Sequence, residues 1–187
     1  MIFRWLVQKS ATDRRGLAGA AMMAAFAILA GIRFWESHKV FFALLLFRDA
    51  MLSVLFLIRK PPRVSARIGP TLLAYASTAL PLAYFSPSSG VSDWAAFSAD
   101  ILATLGFLIA TLAAIDLGRR IGVAPAARGD LCKSGLYRYL RHPMYTGYAV
   151  AELGWPLLSS WNVPLFMVSL CGYLVRARFE DQILRSK

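Results

Sequence analysis

The chain has 187 residues, 58% of them hydrophobic, and a mean hydropathy of +0.54. A soluble domain of this length needs far more polar surface, and the apolar residues run in blocks long enough to cross a bilayer. The formal net charge of +11 raises nucleic acid as a partner. However, Lys and Arg cluster between the apolar blocks and form no single basic groove with interleaved aromatics, which excludes nucleic acid in favour of a membrane.

In chain order, Lys9, Arg14 and Arg15 precede an apolar run over residues 16–32 that ends at Arg33. That run is longer than a signal-peptide core and lacks a small-residue cleavage site, so it is expected to be a retained first span. A second span is expected over 40–58, interrupted by Arg48 and Asp49, a third over 70–85 and a fourth over 101–117. At 1.5 Å per residue these are near the lower limit for crossing hydrocarbon. The last apolar stretch, 143–175, is too long for one span. It contains Ser159, Ser160, Trp161 and Asn162 between Pro156 and Pro164, a turn signal. A helical hairpin is expected, with one arm over 143–158 and the other from Val163 into the charged tail. The expected fold is therefore all-α: a polytopic membrane bundle of four spans plus a C-terminal hairpin. It is read as one domain over 1–187, with spans in 16–117 and a pocket-forming region in 118–187.

Charge placement orients this bundle. The basic segments carry Arg4, Lys9, Arg14 and Arg15; then Arg59, Lys60, Arg63 and Arg67; then Arg119, Arg120, Arg128, Lys133, Arg138 and Arg141; and finally Arg176, Arg178, Arg185 and Lys187. They fall on one side if the chain alternates, whereas 86–99 on the other side has no Lys or Arg. The short 33–39 loop, with Arg33 and Lys39 against Glu36, is the weak exception. The positive-inside rule then places both termini in the cytoplasm and the protein in the inner membrane if it is bacterial.

One stretch carries chemistry: Gly135-Leu136-Tyr137-Arg138-Tyr139-Leu140-Arg141-His142-Pro143-Met144-Tyr145-Thr146-Gly147. Pro143 suits the first turn of a helix, where its missing N–H costs nothing. The free N–H groups of that turn, beside Arg138, Arg141 and His142, make a place for a carboxylate or phosphate. Tyr137, Tyr139 and Tyr145 offer faces for a purine or a sulfonium. In the tail, Arg176 and Glu180 lie one turn apart on a helix, and Glu180 and Asp181 form an acidic corner. A hairpin returns that corner to Pro143, so a basic and an acidic corner meet at one membrane face. The pair suits a zwitterion. Cys132 and Cys171 are too few for a disulfide framework or zinc site, and His38 and His142 lack metal-ligand spacing, so no metal is expected.

These residues, together with Leu117-Gly118-Arg119, Gly122-Val123-Ala124-Pro125 and Leu184, resemble the isoprenylcysteine carboxyl methyltransferase family and the related phospholipid N-methyltransferases over about the last 70 residues. The resemblance implies an integral membrane methyltransferase dependent on S-adenosylmethionine. It implies that Tyr137, Arg138, Arg141, His142, Pro143, Tyr145 and Gly147 shape the cofactor site, with Glu180 and Asp181 opposite. A lipophilic acceptor, a prenyl- or phospholipid-like carboxyl, amine or hydroxyl compound, would enter from the bilayer. Glu180 is the candidate to accept a proton from an amine, and Arg176 the candidate to orient an anionic acceptor. The chain departs from the family pattern at Leu136, where proline is frequent, at Asp181, where a second glutamate is usual, and in the short segment after Leu184. Two other readings stand beside this one: an NADPH-dependent enzyme resembling the sterol C14 reductases, and a non-catalytic membrane protein that keeps the pocket.

Simpler readings apply elsewhere. Arg119, Arg120 and Arg128 read as topology signals, and Tyr139 as an interfacial anchor, with Tyr145 balanced between anchor and cofactor contact. Arg48 and Asp49, mid-span, are expected in a structural polar contact between helices, with Asp116 and Glu152 as candidate partners.

Overall fold

A computed structural model describes residues 14–185; Arg4, Lys9 and Lys187 lie outside that range. The architecture is nearly all helical. Helix α1 spans Arg14–Ser37, α2 Val40–Ile58, α3 Ile68–Ala79, α4 Asp93–Leu117, α5 Pro143–Glu152, α6 Trp155–Leu158 and α7 Asn162–Arg185. Among the described residues, three helices are long and apolar enough to cross a membrane: Gly16–Ser37, Val40–Ile58 and Asp93–Arg120.

The second expected span matches α2 end for end. The fourth begins eight residues earlier than expected, because Ser92 caps α4 by accepting a hydrogen bond from the Ala95 amide at 3.2 Å. The helix thereby takes in part of the loop expected over 86–99. The third is shorter and broken. After twelve helical residues the chain tightens into a 3₁₀ turn, Leu80–Ala83, with Pro81 near its start. The hairpin turns at residues 159–162 as expected, but its first arm, expected to be continuous over 143–158, is broken at Leu153 and Gly154 into α5 and α6. Asn162 is fully buried there, accepting from the Phe85 amide at 2.8 Å and donating to the carbonyls of Phe85 and Trp155, each at 3.1 Å.

The two ends of the bundle are defined by contacts between loops. At one end the Lys60 amide bonds to the Arg119 carbonyl at 2.6 Å, and Arg119 Nε donates to the Ile58 carbonyl at 2.8 Å. A two-residue antiparallel pair joins Val64–Ser65 (β1) to Ala126–Ala127 (β2). Arg128, buried, donates to the Lys60 carbonyl at 2.7 Å. At the other end Lys39 pairs with Asp100 at 2.9 Å, and the Ser88 amide bonds to the Leu158 carbonyl at 2.9 Å. The basic segments after α2 and α4 thus share one end, as alternation requires.

Helices α4 and α5 pack through small residues. A Cβ on Gly106 would run into the backbone of Gly147 and Ala151, and one on Gly147 would lie 2.7 Å from both the Ala110 nitrogen and the Gly106 oxygen. In lipid, where apolar burial gives no drive between helices, this close backbone approach is what holds a pair together. Arg48 and Asp49 complete the seam. Arg48 Nε and Nη2 donate to Asp49 Oδ1 at 2.9 and 2.7 Å, and its guanidinium lies 4.3 Å from the Phe107 ring centroid on α4. The structural reading of this pair holds, but its expected partners do not. Asp116 instead accepts from the Leu136 amide at 2.8 Å, and Glu152 accepts from the hydroxyls of Tyr84 and Tyr173. Asp116 lies nine residues beyond Phe107 on α4, whereas Glu152 is close to the level of Phe107 but is taken up by the two tyrosines.

Gly147→Leu should cost about 3 kcal/mol or more by overpacking the crossing. Gly69→Ala, with nothing within 4 Å of the added methyl, should not. Thermal unfolding in detergent checks both. Arg48→Leu should lower the midpoint strongly because it strands a buried carboxylate, and Asp49→Leu in the same chain should restore much of the loss. Equal midpoints for the single and double variants would contradict the pairing.

Candidate functional site

The hairpin returns α7 to the start of α5. Pro143 occupies the first turn of α5 and His142 its N-cap, with the Thr146 amide bonding back to the His142 carbonyl at 3.1 Å. On the opposing helix, Glu180 and Asp181 face this point. Asp181 Oδ1 takes Arg141 Nε at 2.9 Å and His142 Nε2 at 3.2 Å, while His142 Nδ1 lies 3.6 Å from Glu180 Oε2. The two corners expected to face a ligand therefore meet and neutralise one another.

Behind them lies a cavity of about 500 Å³, within the usual range of small-molecule sites. Tyr137, Arg141, His142, Tyr145, Arg176, Glu180 and Asp181 all line it. His142, Tyr145 and Tyr173 form a stack, with centroid separations of 5.7 and 5.9 Å and near-parallel planes. Arg176 lies 5.0 Å from the Tyr145 ring centroid, which draws Tyr145 into the site and away from a role as interfacial anchor.

Three expected site residues lie outside the cavity wall. Arg138 is exposed and sits over the Tyr139 ring at 5.9 Å. Pro143 is fully buried as the start of α5, and Gly147 belongs to the α4 crossing. Tyr139 is 79% exposed and also lies outside the wall. Arg176 is buried. Its Nη1 donates to the hydroxyls of Ser77 and Thr78 at 3.1 and 3.2 Å, and its Nη2 to the Val123 carbonyl at 2.9 Å. Three of its five N–H donors are thus committed to α3 and to the α4–α5 loop, while its buried Nε has no hydrogen-bond partner among the described residues.

Sequence reasoning missed several wall residues, among them Met23, Leu52, Phe56, Met144, Tyr148 and Cys132. The apolar ones carry no local signal, since they look like any lipid-facing or core position. Gly135 was part of the motif, and its reason is now visible. Its φ is +56°, and a Cβ would collide with the Asp116 carboxylate that receives the Leu136 amide.

Charge sets the protonation of the site. The carboxylate of Glu180, and then the charges of Glu180 and Asp181, raise the His142 pKa above its ordinary value against the opposing effect of burial. Burial and the Glu180 charge push the Tyr137 phenol upward, so it stays neutral and able to donate.

The fold and site together define an integral membrane protein with a mixed-charge, aromatic-walled cavity at one end of its bundle. A family model described as Phospholipid methyltransferase matches residues 94–187, the half that supplies α4 through α7 and nearly all the polar wall. The chain belongs to the phospholipid methyltransferase family and is a membrane methyltransferase by class. No curated protein and no solved structure matches it.

A histidine whose folded pKa is raised contributes stability that is complete below its unfolded value near 6.5 and fades as pH rises through the higher folded value. The unfolding midpoint of the ligand-free protein should therefore fall as pH rises through that window. His142→Gln should flatten the dependence. An unchanged pH profile in that variant would contradict the assignment. Arg141→Ala should change the midpoint little, since an exposed pair is worth less than about 1 kcal/mol.

Proposed function

We propose that the protein transfers a methyl group from S-adenosylmethionine to a lipophilic acceptor, in a pocket between the start of α5 and the end of α7 that faces the cytoplasm. The observation that carries this reading is the shared carboxylate of Asp181, bonded to both Arg141 and His142 with Glu180 beside it, at the wall of a cavity about 500 Å³ in volume. The residues fit such a cofactor, which is itself an amino acid joined to a nucleoside. Arg141, His142 and the first-turn amides of α5 would hold its carboxylate, and Glu180 and Asp181 its ammonium. A zwitterion replaces each protein–protein ion pair with a protein–ligand one, so no buried charge is left uncompensated. Tyr137 and Tyr145 supply flat, electron-rich faces for the sulfonium or the base.

When bound, S-adenosylmethionine supplies an electrophilic methyl group on a sulfonium that is already a good leaving group. What remains for the protein is alignment, exclusion of water and steadying of charge. Glu180 would receive the proton that a neutral amine must lose; a carboxylate acceptor needs no base. Arg176 acts at one remove, holding the Val123 loop and the Tyr145 ring in place. Pro143 and Gly147 set where α5 begins and how it lies on α4.

Purified protein in lipid nanodiscs should bind S-adenosylhomocysteine and not NADPH. It should also move a labelled methyl from S-adenosylmethionine to a lipid that mass spectrometry can identify. Asp181→Asn should weaken S-adenosylhomocysteine about ten- to a hundredfold, the worth of one or two charge-assisted hydrogen bonds. With an amine acceptor, Glu180→Gln should lower turnover about a hundredfold or more. Binding of NADPH instead would favour a reductase, and binding of neither would leave a non-catalytic pocket.

A further inference from the structure

The wall of the cavity is not built from the family-matched half alone. Met23 of α1, Leu52 and Phe56 of α2 and Thr78 of α3 complete it. Met23, Leu52 and Phe56 are nearly inaccessible, at 6%, 3% and 4% exposure. They pack in the apolar cluster that also holds Ala114, Ile121 and Val123, with Leu117 and Met144 against it. Most of the charged groups come from the helix ends and loops, among them Arg120, Lys133, Arg141, Glu180, Asp181 and Arg185, while Arg176 stands nine residues before the end of α7. Leu52 lies six residues before the end of α2, about 9 Å of helix. The cavity therefore has a charged part, mostly at the bundle end, and an apolar part along α1 and α2 that runs from Phe56, two residues before the end of α2, inward to Leu52.

One residue on this apolar wall is held in an unusual way. The Phe56 ring rests directly on Gly19 of α1. A Cβ at that glycine would lie 2.7 Å from Phe56 Cδ1 and 2.9 Å from Cε1, closer than atoms of that kind pack. The Arg59 guanidinium lies 5.2 Å from the ring centroid and holds it further. Nearby, Ser53 donates to the Ala20 carbonyl at 2.9 Å, which fixes the α1–α2 register at this level. An added methyl at position 19 forces the ring away from α1, and the cavity that the ring lines is open to receive it. Gly19 therefore sets how far Phe56 projects into the apolar part of the cavity.

We propose that Gly19 and Phe56 form a size gauge for the apolar body of the methyl acceptor. With glycine at 19 the ring stays back against α1 and leaves room for a hydrocarbon chain beside Met23 and Leu52. Residues outside the family-matched segment thus decide which lipids fit, while the matched segment holds the cofactor. This inference rests on the methyl-transfer reading for the word acceptor, but the site for a hydrocarbon chain can be tested without turnover.

The test uses the full chain in nanodiscs doped with a phosphatidylethanolamine whose acyl chain carries a diazirine, with labelled residues located by mass spectrometry after illumination. Val54 and Leu57, exposed on the same helix at 56% and 46%, give the level expected from bulk lipid. Wild-type protein should label Leu52, Phe56 or Met23 as well as Val54 and Leu57, and only the labelling of the first three should change in the variants. Gly19→Ala should reduce the labelling of Leu52 and Met23 at least about threefold, and Phe56→Leu, a milder change for folding, should raise it. The inference is overturned if label stays confined to Val54 and Leu57, or if Leu52 labelling is the same in wild type, Gly19→Ala and Phe56→Leu. Titration of S-adenosylhomocysteine on the same samples scores the methyl-transfer reading separately. Wild-type protein that takes the lipid label but not that ligand would sink the enzyme and keep the chain site.

Discussion

The last helix has to come back to the place where the hairpin began, and the carboxylate of Asp181 is what meets it there. By taking Arg141 and His142 together, with Glu180 close behind, it joins the end of α7 to the start of α5. Everything said about chemistry depends on that closure. Without it, a set of basic residues on one element and a set of acids on another would each be an ordinary helix-end feature, one favoured by the positive-inside rule and the other merely solvated. Together they form a paired charge array at the wall of a cavity, with groups of both signs available to a ligand.

The closure is supported from below by packing. Glycines at 106 and 147 let α4 and α5 approach to backbone contact, which sets the position of His142 relative to the bundle. Arg176 ties α7 to α3 and to the loop at Val123, so the acids cannot drift from the aromatic stack formed by His142, Tyr145 and Tyr173. The buried Arg48–Asp49 pair braces α2 against α4 on the far side. Each of these is a polar or steric device inside an apolar setting, where the hydrophobic effect gives little guidance to helix pairing.

Much of this was legible from residue order. The apolar run of α2 is bounded by Lys39 and Arg59, so its limits could be read directly. The hairpin turn was marked by Pro156, Asn162 and Pro164. The cluster of Arg141, His142, Glu180 and Asp181 followed from asking where a hairpin must return. Other features could not be read. The start of α4 depends on a serine cap, and the polar residues Ser98 and Asp100 hid the helix from a count of apolar runs. The third span fails to continue as an α-helix because Pro81 interrupts it, which shortens the element without removing its apolar character. The partners of Asp116 and Glu152 depend on helix rotation, which periodicity leaves open when nearly every face is apolar. For the same reason the contacts of Arg176 with Ser77, Thr78 and Val123 could not be read from the sequence. The part of the wall built by Met23, Leu52 and Phe56 was invisible, since a pocket-lining Phe and a core Phe look alike in sequence.

The central claim is that the charged corner recognises the amino-acid part of a nucleoside sulfonium ligand. It is tested most directly by comparing the affinity of S-adenosylhomocysteine with that of 5′-methylthioadenosine, which keeps the nucleoside and sulfur but lacks both the ammonium and the carboxylate. Isothermal titration on the same nanodisc preparation gives both constants. If Arg141, His142, Glu180 and Asp181 hold those two groups, S-adenosylhomocysteine binds about a hundredfold tighter or more, the worth of two charge-assisted contacts. Equal affinities would show that the ion pairs serve only to fasten one helix to another.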